Sequence, residues 1–192
     1  RGWVQAGPEV VRQPGSAIRA TDRAGVPGQV ASAGAVHARH AFLLLARIDA
    51  AGCRLRWLVA THGHFDHVGA AAEIQVDSPD SPALLIHPDD VFLVESMPEQ
   101  QAMYGLPTSR VPRMQATLAD GATLPLGAGS LQLTAVPGHS PGHMMVSWPG
   151  HAIVGDLVFA GSVGRTDLPG GSWEQLITSI NNHILSLDDA TV

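Results

Sequence analysis

Three imidazoles and a carboxylate fall within one short stretch, His62-Gly63-His64-Phe65-Asp66-His67, directly behind Thr61. Neutral imidazole nitrogens and carboxylate oxygens are ordinary ligands of zinc and related cations, and open catalytic sites are built largely from them. The run Leu55-Arg56-Trp57-Leu58-Val59-Ala60-Thr61 reads as a buried strand, and Val68-Gly69-Ala70-Ala71-Ala72-Glu73-Ile74 as the opening of a helix. The cluster is therefore expected on a tight strand-to-helix loop, where scaffolds mount reactive groups. Side chains two apart in an extended chain share a face, so His62 and His64 can point together. Asp66 and His67, further round the turn, aim at a neighbouring point, a spacing that suits two adjacent cations better than one. A lone histidine is more often a solvated loop residue. Four potential ligands at this density argue instead for metal or catalysis.

Periodicity supplies a frame for this loop from about residue 38 onward. Ala41, Leu44, Leu45, Ile48 and Ala51 follow helical spacing, and Gly52 is a good stop. The helix after the cluster is expected to run to about Val76. Ala83-Leu84-Leu85-Ile86-His87 reads as a second buried strand, and Pro88 opens a short helix through Glu95. Residues 97–117 look irregular. Thr123–Leu126 and Ser130–Val136 alternate as strands about a Gly127-Ala128-Gly129 turn, and His143–Trp148 and His151–Gly155 are two more. Ser172 and Gln175 form a capping box ahead of an apolar stripe, Trp173, Leu176, Ile177, Ile180, Ile184 and Leu187, in which Trp173 is expected in the core. Residues 1 to about 36 show no sustained period and place no element. Mixed strands and helices with several hairpins favour sheets packed face to face with helices outside, an α/β (α+β) fold.

At 192 residues with 45% apolar and 15% charged content, the chain can bury a sizeable core as one domain. Seventeen acidic against 11 basic residues, without a Lys/Arg block, argue against a nucleic-acid or membrane-surface partner. The longest early apolar run, Ala41–Ala46, is far short of the roughly 20 residues that span a bilayer. Cys53 is the only cysteine. It permits no internal disulfide, fits a reducing, cytoplasmic setting, and is expected as a small buried filler rather than a nucleophile.

Two further segments carry ligand chemistry. Pro137-Gly138-His139-Ser140-Pro141-Gly142-His143 holds two histidines in a Gly/Pro turn at a strand end, and Ala152-Ile153-Val154-Gly155-Asp156 runs a buried strand into a carboxylate. His143 is expected to pack behind the site rather than ligate. The order His62-x-His64-x-Asp66-His67, then His139, then Asp156, is similar to the metallo-β-lactamase superfamily. The stretch Phe159–Gly171, with Ser162-Val163-Gly164-Arg165, resembles its glyoxalase II-like (hydroxyacylglutathione hydrolase) single-domain branch. The resemblance implies a four-layer αβ/βα sandwich with metals at one edge, zinc first and two ions in the intact protein, with iron or manganese as alternatives. It assigns His62, His64 and His139 to the first metal and Asp66, His67 and Asp156 to the second, with Asp156 bridging.

Two departures accompany the resemblance: the family's final histidine ligand has no counterpart, and residues 1–36 do not read as the paired strands ending in an Asp-rich loop with which the family usually begins. The family's last ligand is a histidine in a Pro-Gly-His segment after the final helix, and none of His37, His40, His87, His151 or His183 has that context. The domain is therefore expected to span 38–192 and to lack its C-terminal end, with 1–37 an atypical Gly/Pro/Ala/Arg-rich segment. The implied chemistry is hydrolysis of a small-molecule thioester such as S-lactoylglutathione through a metal-bound hydroxide, with Asp66 orienting the nucleophile and Arg165 binding a substrate carboxylate. Pairing of Arg165 with Asp167 is an equal structural alternative. The rival readings are a mononuclear-iron persulfide dioxygenase using His62, His139 and Asp156, and an inactive truncated piece of such an enzyme.

Overall fold

The computed structural model describes residues 48–192 throughout, together with 45–46 and two strands at 17–23 and 26–33. Eleven strands occur among the described residues: β1 (Ala17–Arg23), β2 (Val26–Ala33), β3 (Arg54–Ala60), β4 (Leu84–Ile86), β5 (Met114–Ala116), β6 (Thr123–Leu126), β7 (Gly129–Ala135), β8 (Met144–Trp148), β9 (His151–Ile153), β10 (Val158–Phe159) and β11 (Ser162–Val163). One sheet runs β2-β1-β3-β4-β5, antiparallel across its first three strands and parallel across the rest. The second, β6-β7-β8-β9, is antiparallel, and β10 and β11 make a small hairpin. The helices are α1 (Phe65–Val68), α2 (Ala71–Asp77), α3 (Val91–Glu95), α4 (Met97–Met103) and α5 (Trp173–Ser179), the last continued by a π-turn over Ile180–Ile184.

Period-2 alternation explains the layering. In β3 and β4, Leu58, Ala60, Leu84 and Ile86 face a cluster that includes Val68, Ile74, Val94 and Met97 from α1–α4. The intervening Val59 and Leu85 face the opposite way, onto Leu131 and Leu133 of β7 and Met144 and Val146 of β8. Met145, between those two, turns outward onto Leu157 and Leu176, where Ile180 and Ile184 also pack. Successive side chains of one strand thus join different cores. The result is helices, sheet, sheet, helix: the four-layer αβ/βα sandwich.

Several expectations are corrected here. Residues 97–117 are not wholly irregular: α4 and β5 lie within them. The helix expected from Val68 to Val76 is two helices, broken around Gly69 and Ala70. Residues 17–33, which show no period, supply two paired strands at the edge of the first sheet. Edge pairing rests on main-chain hydrogen bonds, which sequence periodicity does not report. Trp173 is 59% exposed, whereas Leu176 is fully buried. The Ser172 hydroxyl accepts from the Gln175 N–H at 3.4 Å, so the expected cap starts this helix. Gly52, at φ +62°, ends the helical residues 48–50 as expected, with its N–H on the Asp49 carbonyl and the Cys53 N–H on the Ile48 carbonyl. The earlier part of that expected helix, 41–44, lies outside the described residues. Cys53 packs half-buried against the first core.

The two aspects of α5 should differ in energy. Leu176→Ala is expected to lower the free energy of unfolding by about 2–5 kcal/mol. Trp173→Ala is expected to lower it by less than about 1 kcal/mol. Urea titration of the two variants checks both, and equal losses would place Trp173 in the core after all.

Candidate metal centre

Main-chain hydrogen bonds bring the two ligand-bearing loops to one place. The first loop leaves β3 at Thr61, and the second leaves β7 and enters β8 around His143. The Met144 N–H donates to the Thr61 carbonyl at 2.7 Å, joining the sheets at this corner. The second loop is also held from its far side. Ser172 N–H donates to the Gly138 carbonyl at 2.8 Å and the Ser179 hydroxyl to the Pro137 carbonyl at 2.7 Å. Gly138 passes so close to α5 that a Cβ there would strike the Leu176 backbone.

Four imidazoles converge between the loops. The His62, His64, His67 and His139 rings are all buried, and a nitrogen from each of His62, His64 and His139 lies within 4.8 Å of the others. His64 Nδ1 and His139 Nε2 are 2.9 Å apart. His139 Nδ1 donates to the Arg165 carbonyl at 2.8 Å, which fixes the tautomer and leaves the Nε2 lone pair facing inward. Thr61 Oγ1, 3.1 Å from His62 Nδ1, steadies that ring. A second trio, His62, His67 and Asp156, satisfies the same limit. Asp156 divides its carboxylate, with one oxygen 3.4 Å from His67 Nε2 and the other 3.7 Å from His139 Nε2. Nitrogen-rich donors with one carboxylate between them fit one or two divalent cations of borderline softness.

Asp66 stands slightly apart. Its Oδ2 is 3.3 Å from His67 Nε2 and its side chain is 46% exposed. It joins neither trio, because the first turn of α1 carries it toward the open side of the site. Arg165 lies in the cavity wall, but its guanidinium fork is engaged by Asp167, Nε to Oδ1 and Nη2 to Oδ2, both 2.7 Å. This is the pairing expected as the structural alternative, and it holds the Asp167 carboxyl down to about 2. His143 is 4.8 Å behind His62 with its ring nearly parallel, and its Nε2 accepts the Asp156 N–H at 3.2 Å. It braces the site from behind, as expected. Gly155, at φ +55°, allows that approach, since a Cβ there would lie 2.7 Å from His143 Nε2.

The sequence reading overlooked Asp90. Its fully buried carboxylate accepts from the Gly63 N–H at 2.9 Å, the Ser140 hydroxyl at 2.7 Å and the Gly142 N–H at 2.6 Å. One side chain thus spans the middle of the first ligand loop and both sides of Pro141 in the second. The available signal was an acidic pair, Asp89-Asp90, in front of the apolar Val91-Phe92-Leu93-Val94.

Electrostatics separates the histidines into two kinds. Burial, reinforced by the neighbouring imidazoles, holds His62 and His143 neutral far below the usual histidine range and lowers His64 to about 4. His67 goes the other way. Burial disfavours its charge, but Asp156 and Asp66 outweigh burial and carry it up to about 9. Burial likewise raises Asp90, against the hydrogen bonds from Ser140, Gly142 and Gly63.

Comparison with known proteins places the chain in a family. The sequence pattern described as the Metallo-beta-lactamase superfamily matches residues 27–192. The chain is 38% identical over 160 residues to hydroxyacylglutathione hydrolase GloC of Haemophilus influenzae, covering 76% of this chain and 70% of that protein. It is 35% identical over 138 residues to the probable metallo-hydrolase YqgX of Bacillus subtilis, covering 70% of this chain and 64% of that protein. The chain thus spans about two thirds of the length of these relatives. The solved structure of TTHA1623 in a di-iron-bound form is similar with a TM-score of 0.67 at 37% identity, covering 76% of this chain and 71% of that one.

Two outcomes test the site. Asp90→Asn puts donors against donors, so it is expected to lower stability by about 1–3 kcal/mol and metal affinity by about 10- to 100-fold. Urea titration and competitive metal titration read these, and undiminished affinity would show that the loops hold each other without Asp90. In the metal-free protein, the buried neutral histidines should make stability fall as pH drops from 6.5 toward 4, because the unfolded chain takes up protons that the folded one refuses. His67 contributes in the opposite sense: its stabilisation is full below 6.5 and lost as pH rises through about 9. Net proton uptake on unfolding at acid pH is the readout, and net release would contradict the assignment.

Proposed function

The chain belongs to the metallo-beta-lactamase superfamily, and from this premise we propose that it is a metal-dependent hydrolase of a small-molecule thioester, of the type named in its hydroxyacylglutathione hydrolase relative. The observation that carries the reading is the pair of donor trios meeting at His62, with Asp156 between them, at the end of a cavity of about 500 Å³. In this reading His62, His64 and His139 hold one cation, and His67 and Asp156, with Asp66 beside them, hold a second. Zinc is the ion proposed first; the di-iron-bound form of TTHA1623 makes iron the next choice. Such cations, when bound, supply a water of lowered pKa and stabilise negative charge on the attacked carbonyl.

The chain's own groups do the rest. His139, held on the Arg165 carbonyl, presents Nε2 in a fixed direction. Asp66, on the open side with a carboxylate oxygen 3.3 Å from His67 Nε2, can orient an attacking water and accept its proton. His143 and Gly155 fix the main chain that carries Asp156. Burial of the rings keeps competing water away and strengthens every polar contact inside. Among the described residues no helix is long and apolar enough to cross a membrane. A cytoplasmic setting, suggested by the single cysteine, belongs to the same proposal.

Chelation is expected to abolish thioester cleavage, and zinc, iron or manganese to restore it. Asp66→Asn is expected to lower kcat by at least about 100-fold, in line with general-base contributions, with metal content largely kept. Metal analysis alongside thioester and oxygen-uptake assays checks this. Oxygen consumption with a persulfide while thioesters stay intact would replace the hydrolase reading with the dioxygenase one.

A further inference from the structure

We propose that the cavity beside the histidine cluster seats an apolar acyl arm, which makes the substrate a thioester of a medium-length aliphatic or aromatic acid. The assignment rests on the hydrolase reading for the reacting bond, and on the cavity alone for the arm. One end of the cavity is lined by His64, Asp66, His139 and Asp156. The rest is walled by Phe65, Phe92, Leu93, Met103, Tyr104 and Leu168. At about 500 Å³ it lies within the range of roughly 300–1,000 Å³ usual for small-molecule sites.

Three observations favour an apolar occupant. First, Phe92, Met103 and Tyr104 are 43%, 86% and 58% exposed, although they sit together against one cavity. Scattered apolar side chains on a surface need no explanation, but a contiguous set beside a reactive cluster marks a binding face. Secondly, two polar side chains in this wall, Ser96 and Gln100, already bond each other and the main chain. Gln100 Nε2 donates to the Leu93 carbonyl at 2.8 Å and to Ser96 Oγ at 3.0 Å, and Ser96 Oγ donates to the Phe92 carbonyl at 2.8 Å. These donors are spent at the junction of α3 and α4, while Phe92, Leu93 and Met103 line the cavity. Thirdly, the guanidinium in the lining, that of Arg165, is held in two places by Asp167. A carboxylate on the substrate would have to compete with that pair.

The choice of the acyl side follows from the chemistry of thioesters. Biological thiol carriers are polar and charged at their far ends, so the arm able to fill an apolar wall is the acid. With the reacting carbonyl at the His64, His139 and Asp156 end, the chain would run toward Phe92 and Met103.

The test uses the metal-loaded full chain and a series of N-acetylcysteamine thioesters from acetyl to octanoyl, with S-lactoylglutathione for comparison. kcat/KM is expected to rise by about fourfold per added methylene until the wall is covered, and S-lactoylglutathione to fall below the longer members. A second arm measures, by calorimetry, binding of ketone analogues in which methylene replaces sulfur, which needs no turnover. Their Kd should fall with the same slope, and Phe92→Ser and Met103→Ser, both at exposed positions, should flatten both slopes. Cleavage with no chain-length preference and flat ketone binding would overturn the pocket assignment and leave the hydrolase reading standing. Graded binding without cleavage of any thioester would support the pocket and overturn the hydrolase reading. A concentration-dependent dimer dissolved by Met103→Ser, with flat ketone binding, would give the face to a second copy and overturn the proposal.

Discussion

The Asp90 carboxylate sits where two loops from different sheets must be held in register, and the rest of the site depends on it. Its acceptors take the Gly63 N–H from between two histidines of the first loop, and the Ser140 hydroxyl and Gly142 N–H from the second. Buried donors such as these need partners, since each left unmet costs on the order of 1–3 kcal/mol. A carboxylate meets all three at once from one short side chain. The tightness is visible from the glycines: a Cβ at Gly142 would lie 2.9 Å from Asp90 Oδ1, and one at Gly63 would lie 2.6 Å from the Asp90 carbonyl oxygen. Asp90 therefore sets the separation of His62 and His64 from His139 without touching them.

That frame holds a cluster which would otherwise be unfavourable. Imidazoles buried this closely cannot all carry charge, so burial and mutual repulsion keep His62, His64 and His143 neutral, with lone pairs available. His67 is the exception because two carboxylates reach it. The site thus pairs a neutral, nitrogen-rich half with an ionic half at Asp66, His67 and Asp156. This division suits a centre that must bind cations and also manage a proton. The superfamily match and the sandwich architecture agree with a divalent-metal site.

Much of the frame was legible because its signals are local. The β3 run, the capped α5 and the β6–β7 hairpin each follow from side-chain periodicity or turn chemistry within a few residues. α4 was missed because Met97-Pro98-Glu99-Gln100-Gln101 has little apolar period; it is held by Met97 in the core and by Gln101, whose side chain bonds Ser109. Trp173 was misplaced for a related reason. A helical stripe gives a face but not its width, and Trp173, at the first turn, is left out of the core that Leu176 and Ile180 join. β1 and β2 escaped notice because their place is set by partners across the sheet.

The sequence by itself determined the chemical identity of the site. The density of His62, His64, Asp66 and His67, and the turns around His139 and Asp156, state which donors exist and that cations suit them, because ligand type is a property of side chains. Tertiary structure alone decided how those donors are shared. It put His62 in both trios, set Asp66 toward the opening, bound Arg165 to Asp167, placed His143 behind Asp156 and brought in Asp90 as the tie. It also assembled the apolar wall from α3, α4 and the loop at Leu168. Such relations are distances between residues far apart in the chain, fixed by sheet packing and buried hydrogen bonds, and no local pattern encodes them.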